Sequence, residues 1–140
     1  MLLFFYGVLL GSVAEGAVRD LLHGLGPGRA TTVRGLLYAV PDPRGFYPVL
    51  APGEGTVRGM VHQAGAVDLA ALDRFEGVDP GDPSAGEYRR ESVFAKLSGG
   101  GSVAADAYLY NRVIGPDLVP IPHGDFARWL RENRARAFAG

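Results

Sequence analysis

Residues 88–110 have the sequence YRRESVFAKLSGGGSVAADAYLY, and this stretch decides the fold class. Residues 88–97 and 103–110 carry many aromatic and β-branched side chains, which favour strands. The five residues between them, SGGGS, form a flexible turn, so the pattern predicts a β-hairpin. Because these two strands follow each other without a helix between them, the hairpin disfavours a doubly wound parallel sheet.

Upstream of the hairpin, the sequence predicts further strands and a short helix. The predicted strands are residues 30–40, 47–51 and 56–62, separated by the turns PDPRG at 41–45 and PGEG at 52–55. Asp68 is a plausible N-cap for a helix over residues 69–75 or slightly beyond. Residues 78–86 hold two prolines, two aspartates and two glycines, which predicts an irregular loop before the hairpin.

The two ends of the chain complete the order of elements. Residues 2–6 form a buried strand bounded by Gly7, and Ser12 begins a helix through a capping-box pattern. A last helix is predicted over residues 125–138, after a proline-punctuated connection at 111–122. The order predicts an α+β fold: a small, mostly antiparallel, barrel-like sheet with about three flanking helices, in a single domain over residues 1–140.

Composition narrows the classes of function. The 140 residues are 47% apolar and 10% aromatic, which is enough for a core and excludes disorder as the default. With 14 basic and 15 acidic residues, the chain lacks the electrostatic footprint of a nucleic-acid-binding protein. Residues 1–10 are apolar but lack the positive start of a signal peptide, and no apolar stretch reaches the roughly 18 residues of a membrane span. We therefore expect a cytoplasmic protein without membrane attachment.

The residue composition also disfavours cofactor chemistry. The chain has no cysteine, which excludes thiolate nucleophiles and zinc sites built on sulfur. Its three histidines, His23, His62 and His123, have no metal-type spacing to one another. The sequence predicts no metal and no cofactor, and it does not indicate an oligomeric state.

Glu76 is the most informative residue of the chain. In the predicted helix, Leu69, Leu72 and Glu76 share one face, and that face is the buried one. Burial and the C-terminal end of the helix dipole both raise the pKa of a carboxyl group toward a value suited to proton transfer near neutral pH. Gly77 follows and permits a sharp chain reversal. The structural alternative is that Glu76 pairs with Arg74, Arg89 or Arg90, or extends into solvent.

Five motifs in order along the chain identify a resemblance. They are FYGVL at 5–9, YPVL at 47–50 with VRGMVH at 57–62, LDRFEGV at 72–78, EYRR at 87–90, and AYLY at 107–110 with IPHGDF at 121–126. Each is weak alone, but together they cover nearly the whole chain. The sequence resembles the gamma-glutamylcyclotransferase-like family of the AIG2-like, gamma-glutamylamine cyclotransferase type, and the resemblance implies that fold.

The resemblance also implies a reaction. The substrate of this family is a small gamma-glutamyl amine or amino acid, whose own α-amine attacks the γ-carbonyl and closes a five-membered ring. The products are 5-oxoproline and the free amine. Because the nucleophile belongs to the substrate, proton transfer is the main task left to the enzyme. Glu76 resembles the general acid/base of the family.

The loop after the first strand resembles the substrate-binding loop of the family. Backbone N–H groups of Tyr6, Gly7, Val8 and Leu9 would hold the glutamyl carboxylate or the developing oxyanion. The family carries a small hydroxyl residue where this chain has Val8, so a backbone contact would survive the difference and a hydroxyl contact would not. A non-catalytic small-molecule-binding protein on the same fold is the alternative function.

Tyr88 and Tyr110 are weaker candidates for walls of the pocket. Tyr88 fits a pocket wall and the edge of the core equally well, because buried tyrosines find a hydrogen-bond partner in both settings. Tyr110 shares one strand face with Asp106 and Tyr108, and the opposite face carries Ala105, Ala107 and Leu109. The pattern leaves open which of the two faces points into the sheet's interior.

Overall fold

In the part of the chain that the structure describes, five strands close into a barrel and two helices pack against it. The computed structural model describes residues 1–7 and 20–138. In chain order the elements are β1 (Leu2–Phe5), β2 (Gly28–Val40), β3 (Tyr47–Gln63), α1 (Leu69–Glu76), β4 (Tyr88–Lys96), β5 (Ser102–Tyr110), β6 (Val119–Pro120) and α2 (Phe126–Asn133). The predicted α+β class with a barrel-like sheet is confirmed.

The barrel closes because β2 and β3 pair along most of their length. Strand β1 lies between β3, with which it is antiparallel, and β5, with which it is parallel. The predicted hairpin is formed by β4 and β5, and β4 joins β2 where Val33 faces Ala95. The antiparallel β2–β3 ladder completes the circle, and the short β6 pairs with the far half of β2.

Alternate side chains of the strands enter two different apolar clusters. In β5, Ala105, Ala107 and Leu109 lie inside the barrel, which answers the question that the sequence left open. The small alanines suit the narrow interior of a five-stranded barrel. Tyr108 points outward into a second group, which we call the outer cluster; it consists of Leu3, Phe5, Val49, Leu72, Tyr88 and Tyr108. Helix α1 covers the outer cluster through Leu72, which is fully buried.

One predicted turn is wrong. Residues 52–55, PGEG, do not reverse the chain but lie within β3, which runs unbroken from Tyr47 to Gln63. The pairing passes from Arg34–Thr56 to Leu36–Ala51, so these four residues bulge opposite Gly35. At Gly55 a Cβ atom would lie 2.7 Å from the carbonyl oxygen of Gly35. Proline and glycine are typical of bulges as well as of turns, and the sequence alone does not separate the two.

The last helix is shorter than predicted. Helix α2 ends at Asn133, and Arg134 adopts a left-handed conformation that caps it. The chain then turns back to pair with Phe46, which donates to the carbonyl of Arg136 and accepts from Phe138. This tail, residues 134–138, places the Phe138 ring beside Tyr47.

The first predicted helix, beginning at Ser12, falls mostly on residues 8–19, outside the described ranges. Within the residues that the structure describes, no helix is long and apolar enough to cross a membrane.

Candidate active site

Glu76 is the last residue of α1, and the helix ends cleanly there. Asp68 caps the start of α1 by accepting from the N–H of Ala71 at 3.1 Å, as the sequence predicts. Gly77 takes a left-handed conformation (φ 75°), and its N–H donates to the carbonyl of Arg74. This conformation favours glycine, so Gly77 both stops the helix and turns the chain away directly after the carboxylate.

A cavity of about 220 Å³ opens between the barrel, α1 and the C-terminal tail. Its lining includes four of the predicted site residues: Tyr6, Gly7, Glu76 and Tyr88. Val8 and Leu9 lie outside the described residues. The other lining residues are Phe4, Phe5, Asp42, Arg44, Tyr47, Pro48, Phe75, Glu87, Tyr108 and Phe138.

Tyr110 does not line the cavity. Its ring packs edge-on against that of Tyr88, with 5.8 Å between the centroids. Tyr110 therefore supports a wall of the cavity from behind. Tyr88 combines both of the roles weighed from the sequence, because it lines the cavity and belongs to the outer cluster.

The environment of Glu76 favours its protonated form. Burial first, and then the nearby negative charges of Glu87 and Asp73, together raise the pKa of Glu76 to about 8. The residue keeps partial exposure because it lines an open cavity. With this pKa, roughly nine-tenths of the Glu76 carboxyls are protonated at pH 7. The group can therefore accept or donate a proton near neutral pH.

The three arginines that might have neutralised Glu76 do not pair with it. Arg89 binds Glu91 at 2.8 Å, and Arg90 binds Asp73 at 3.0 Å. Arg74 is exposed and forms no ion pair with any residue in the described ranges. Among the described residues, no cation therefore offsets the burial and the like charges that raise the pKa of Glu76.

Two tyrosines are fixed by hydrogen bonds to the backbone. The Tyr6 hydroxyl donates to the carbonyl oxygen of Tyr108, and the Tyr88 hydroxyl donates to that of Pro48 at 3.0 Å. Burial raises the pKa of both hydroxyls well above the ordinary value. Both tyrosines therefore stay neutral at physiological pH and form rigid walls of the cavity.

A charged network lies behind the cavity and ties α1 to the hairpin. Arg90 on β4 binds both carboxylate oxygens of Asp73, at 3.0 and 3.3 Å, and reaches Asp106 on β5 at 2.6 Å. The Tyr108 hydroxyl also donates to Asp73, at 2.6 Å. Because Asp73 precedes Glu76 by one helical turn, the network fixes the end of α1 on the barrel.

A second carboxylate, that of Glu87, also faces the cavity. The Tyr47 hydroxyl donates to its Oε2 at 3.0 Å. The backbone N–H of Glu87 donates to the carbonyl of Gly77 at 3.1 Å, so the segments that carry the two glutamates are directly bonded. The negative charge of Glu87 contributes to the raised pKa of Glu76.

The outer rim of the cavity is aromatic and charged. Phe138 meets the Tyr47 ring edge-on at 5.6 Å, and the Arg44 guanidinium lies 4.5 Å from the centre of the Phe138 ring. Arg44 also binds Asp42 at 3.3 Å. Among the residues described, no group of three or more histidines and acidic residues is arranged to hold a metal ion.

The family model for "Gamma-glutamyl cyclotransferase, AIG2-like" matches residues 3–129 of the chain. This chain belongs to that family. The comparison with curated protein sequences gave no match. The family resemblance in the motifs is confirmed by a match that spans most of the sequence.

Solved structures of similar fold support the architecture of this AIG2-like protein. YkqA from Bacillus subtilis has a TM-score of 0.68 at 22% identity; the match covers 95% of this chain and 42% of YkqA. This chain thus spans less than half the length of YkqA. An AIG2-like protein from Mus musculus has a TM-score of 0.64 at 20% identity, covering 89% of this chain and 86% of that one. A gamma-glutamyl cyclotransferase structure gives 0.60 at 20% identity, with coverages of 87% and 72%.

Several residues that line the cavity were not identified as candidates from the sequence. Tyr47 and Glu87 lie within YPVL and EYRR, two of the motifs on which the family resemblance rests. A polar residue inside a family motif is the signal that could have drawn attention to them. Phe138 carries no such signal, because it lies beyond the matched residues 3–129. Only the turn of the tail after α2 brings Phe138 to the rim.

Proposed function

We propose that this chain is a gamma-glutamyl cyclotransferase, which converts a gamma-glutamyl amine or amino acid to 5-oxoproline and the free amine. The observation that carries the proposal is the Glu76 carboxyl: it faces a cavity at the end of β1, has no cationic partner among the described residues, and has a pKa of about 8. Membership of the family supplies the class of reaction.

The pKa of Glu76 matches the group from which it would take a proton. A chain-terminal α-ammonium group has a pKa near 8, and the free carboxylate beside the α-ammonium of a gamma-glutamyl group raises its pKa somewhat further. Its proton therefore passes to the Glu76 carboxylate at a small cost in free energy. The freed α-nitrogen attacks the γ-carbon, and the bond between that carbon and the amide nitrogen breaks. In total the α-nitrogen loses two protons and the leaving nitrogen gains two, and one carboxyl can carry them in succession.

The cavity would contribute positioning as well as proton transfer. Ring closure is intramolecular, so holding the glutamyl chain in a bent conformation brings the amine within reach of the carbonyl. In this proposal the backbone of Tyr6, Gly7, Val8 and Leu9 holds the glutamyl end, and the fixed ring of Tyr88 forms the wall beside it. The aromatic walls reduce the contact of the reacting groups with water, which strengthens the electrostatic contacts made to them.

The test is the release of 5-oxoproline from a panel of gamma-glutamyl amides of amino acids and simple amines. We expect Glu76→Gln to lower the rate by at least about a hundredfold, because the amide keeps the shape of the side chain and removes proton transfer. Glu91 is an exposed carboxylate beside Arg89. Glu91→Gln is therefore the matched control, and we expect it to keep the activity. An unfolding curve for each variant establishes that the fold is intact.

The alternative, a small-molecule-binding protein without catalysis, is favoured by one residue. Val8 replaces the small hydroxyl residue of the family at the proposed cradle. On this alternative, gamma-glutamyl amides bind to the wild-type protein but no 5-oxoproline appears. Equal rates for wild type and Glu76→Gln would instead show that Glu76 is not the acid/base.

A further inference from the structure

The Glu87 carboxylate faces the cavity without a balancing charge. Its one side-chain hydrogen bond among the described residues comes from the neutral hydroxyl of Tyr47. Within residues 1–7 and 20–138, no arginine, lysine or histidine forms an ion pair with it. A partly buried carboxylate in this setting gains most from a cation that arrives with the ligand.

The rest of the cavity lining also suits a cation. The one arginine among the described residues of the lining, Arg44, is already bound to Asp42 and stacked on Phe138 at the rim. The walls near Glu87 are aromatic, with Tyr47, Tyr88 and Phe138 among the lining residues. Ring faces attract ammonium groups, so these walls add to the effect of the carboxylate.

We propose that Glu87 is a specificity-determining residue, which binds a second positive charge on the leaving amine of the substrate. The inference rests on the proposed function and names the class of substrate within it: gamma-glutamyl amides of diamines and of other amines that carry a distal ammonium group. Glu76 then exchanges protons with the α-amine, and Glu87 binds the distal ammonium group of the leaving amine.

The position of Glu87 supports its role in binding the leaving amine. In the proposed reaction the glutamyl end of the substrate lies at Tyr6 and Gly7, beside Glu76. The Tyr47 hydroxyl binds Glu87 and the Tyr47 ring packs against Phe138, so one side chain connects Glu87 to the rim of the cavity. A leaving amine that extends from the γ-carbonyl toward the rim therefore passes Glu87. Its distal ammonium would donate to the carboxylate oxygens there.

Two amides of equal length test the inference. One is the gamma-glutamyl amide of a four-carbon diamine, and the other is gamma-glutamyl pentylamide, in which a methyl group replaces the distal ammonium. We expect wild-type protein to favour the diamine amide in kcat/KM by about tenfold or more. In Glu87→Gln the ratio of the two kcat/KM values falls toward one. Using a ratio cancels any effect of Glu87 on Glu76, which acts equally on both amides.

Controls separate charge from structure. Glu91 lies on β4 and is not among the residues that line the cavity, so Glu91→Gln keeps the wild-type ratio. In wild type, added salt lowers the ratio by screening the charged contact, a result that requires no variant to fold.

The possible failures are distinguishable. A wild-type ratio near one, or a preference that survives in Glu87→Gln, overturns the inference and leaves the cyclotransferase proposal standing. An equal loss for both amides in Glu87→Gln leaves the ratio unchanged, so it also overturns the inference. If neither amide releases 5-oxoproline, the proposed reaction is wrong and the inference falls with it.

Discussion

Glu76 owes its proton affinity to three features of its surroundings. It is largely enclosed by the cavity walls, it lies near the carboxylates of Glu87 and Asp73, and no described arginine pairs with it. The charge of Asp73 is bound by Arg90, whereas Glu87 receives only the hydroxyl of Tyr47. Of the two neighbours, Glu87 is therefore the one whose charge can be removed without breaking an ion pair.

The first prediction at the scale of single residues concerns this neighbour. Glu87→Gln removes a negative charge that raises the pKa of Glu76, so the Glu76 pKa falls below its value of about 8 in the folded protein. Titration of the glutamate side-chain carboxyl carbons by NMR measures the shift, with Glu76→Gln assigning the signal. An unchanged midpoint in Glu87→Gln would mean that the charge of Glu87 does not contribute to the raised pKa of Glu76.

The second prediction links Glu76 to stability. Between the pKa of an unfolded glutamate, about 4.3, and the folded value of about 8, the folded state keeps a proton that the unfolded state has released. The free energy of unfolding therefore falls as pH rises, by at most about 1.4 kcal/mol per pH unit, less the screening by water in the cavity. Glu76→Gln removes this pH-dependent loss of stability. The stability of the variant relative to wild type therefore increases as pH rises from 5 to 8.

Urea unfolding at pH 5 and at pH 8.5 measures the difference. We expect the advantage of Glu76→Gln to be larger at pH 8.5 by at least about 1 kcal/mol. Glu91→Gln is again the matched control. A gap between wild type and Glu76→Gln that is the same at both pH values would show that Glu76 ionises normally.

At the scale of elements, the end of β1 is fitted closely to the start of β3. A Cβ atom at Gly7 would overlap the ring of Pro48, so the glycine here serves packing between two chain segments. Gly7→Ala should lower the free energy of unfolding by about 1–3 kcal/mol, since one of the two segments must move. Gly99→Ala, in the open tip of the hairpin, has no neighbour within 4 Å and should stay within about 0.5 kcal/mol of wild type.

Denaturant unfolding of both glycine variants tests the fit. Equal stabilities for Gly7→Ala and Gly99→Ala would contradict the close approach of Gly7 to Pro48. Because Pro48 also accepts the hydroxyl of Tyr88, a shift at this point reaches the wall of the cavity.

Elements with a strong local pattern were predictable from the sequence. The hairpin followed from its glycine-rich turn, and α1 from Asp68, the spacing of Leu69 and Leu72, and Gly77. The bulge at residues 52–55 was not predictable, because proline and glycine there are equally typical of a turn. What decides between them is the pairing of β3 with β2, which is a contact between distant parts of the chain. The early end of α2 likewise depends on the pairing of the tail with Phe46.

At the scale of the whole molecule, the cavity is assembled from segments far apart in sequence. The end of β1, the segment before β3, the end of α1, the start of β4 and the C-terminal tail all contribute to its walls. Periodicity placed Glu76 on the face of α1 that meets the barrel, and family motifs pointed to Tyr6, Gly7 and Tyr88. The roles of Tyr47, Glu87 and Phe138 depend on how these segments meet, so no local pattern identified them.

The most direct test of the account is the pH dependence of kcat/KM for 5-oxoproline formation by the wild-type protein. We expect an acidic limb with an apparent pKa near 8, because kcat/KM reports the ionisation of Glu76 in the free protein. The substrate's own α-ammonium adds an alkaline limb in wild type, because Glu76 takes its proton from the protonated amine. The residual rate of Glu76→Gln depends only on the neutral amine, so it should rise with pH and show no alkaline limb. An acidic limb near the ordinary glutamate value of about 4.3, or the same profile in Glu76→Gln, would contradict the claim that Glu76 transfers the proton.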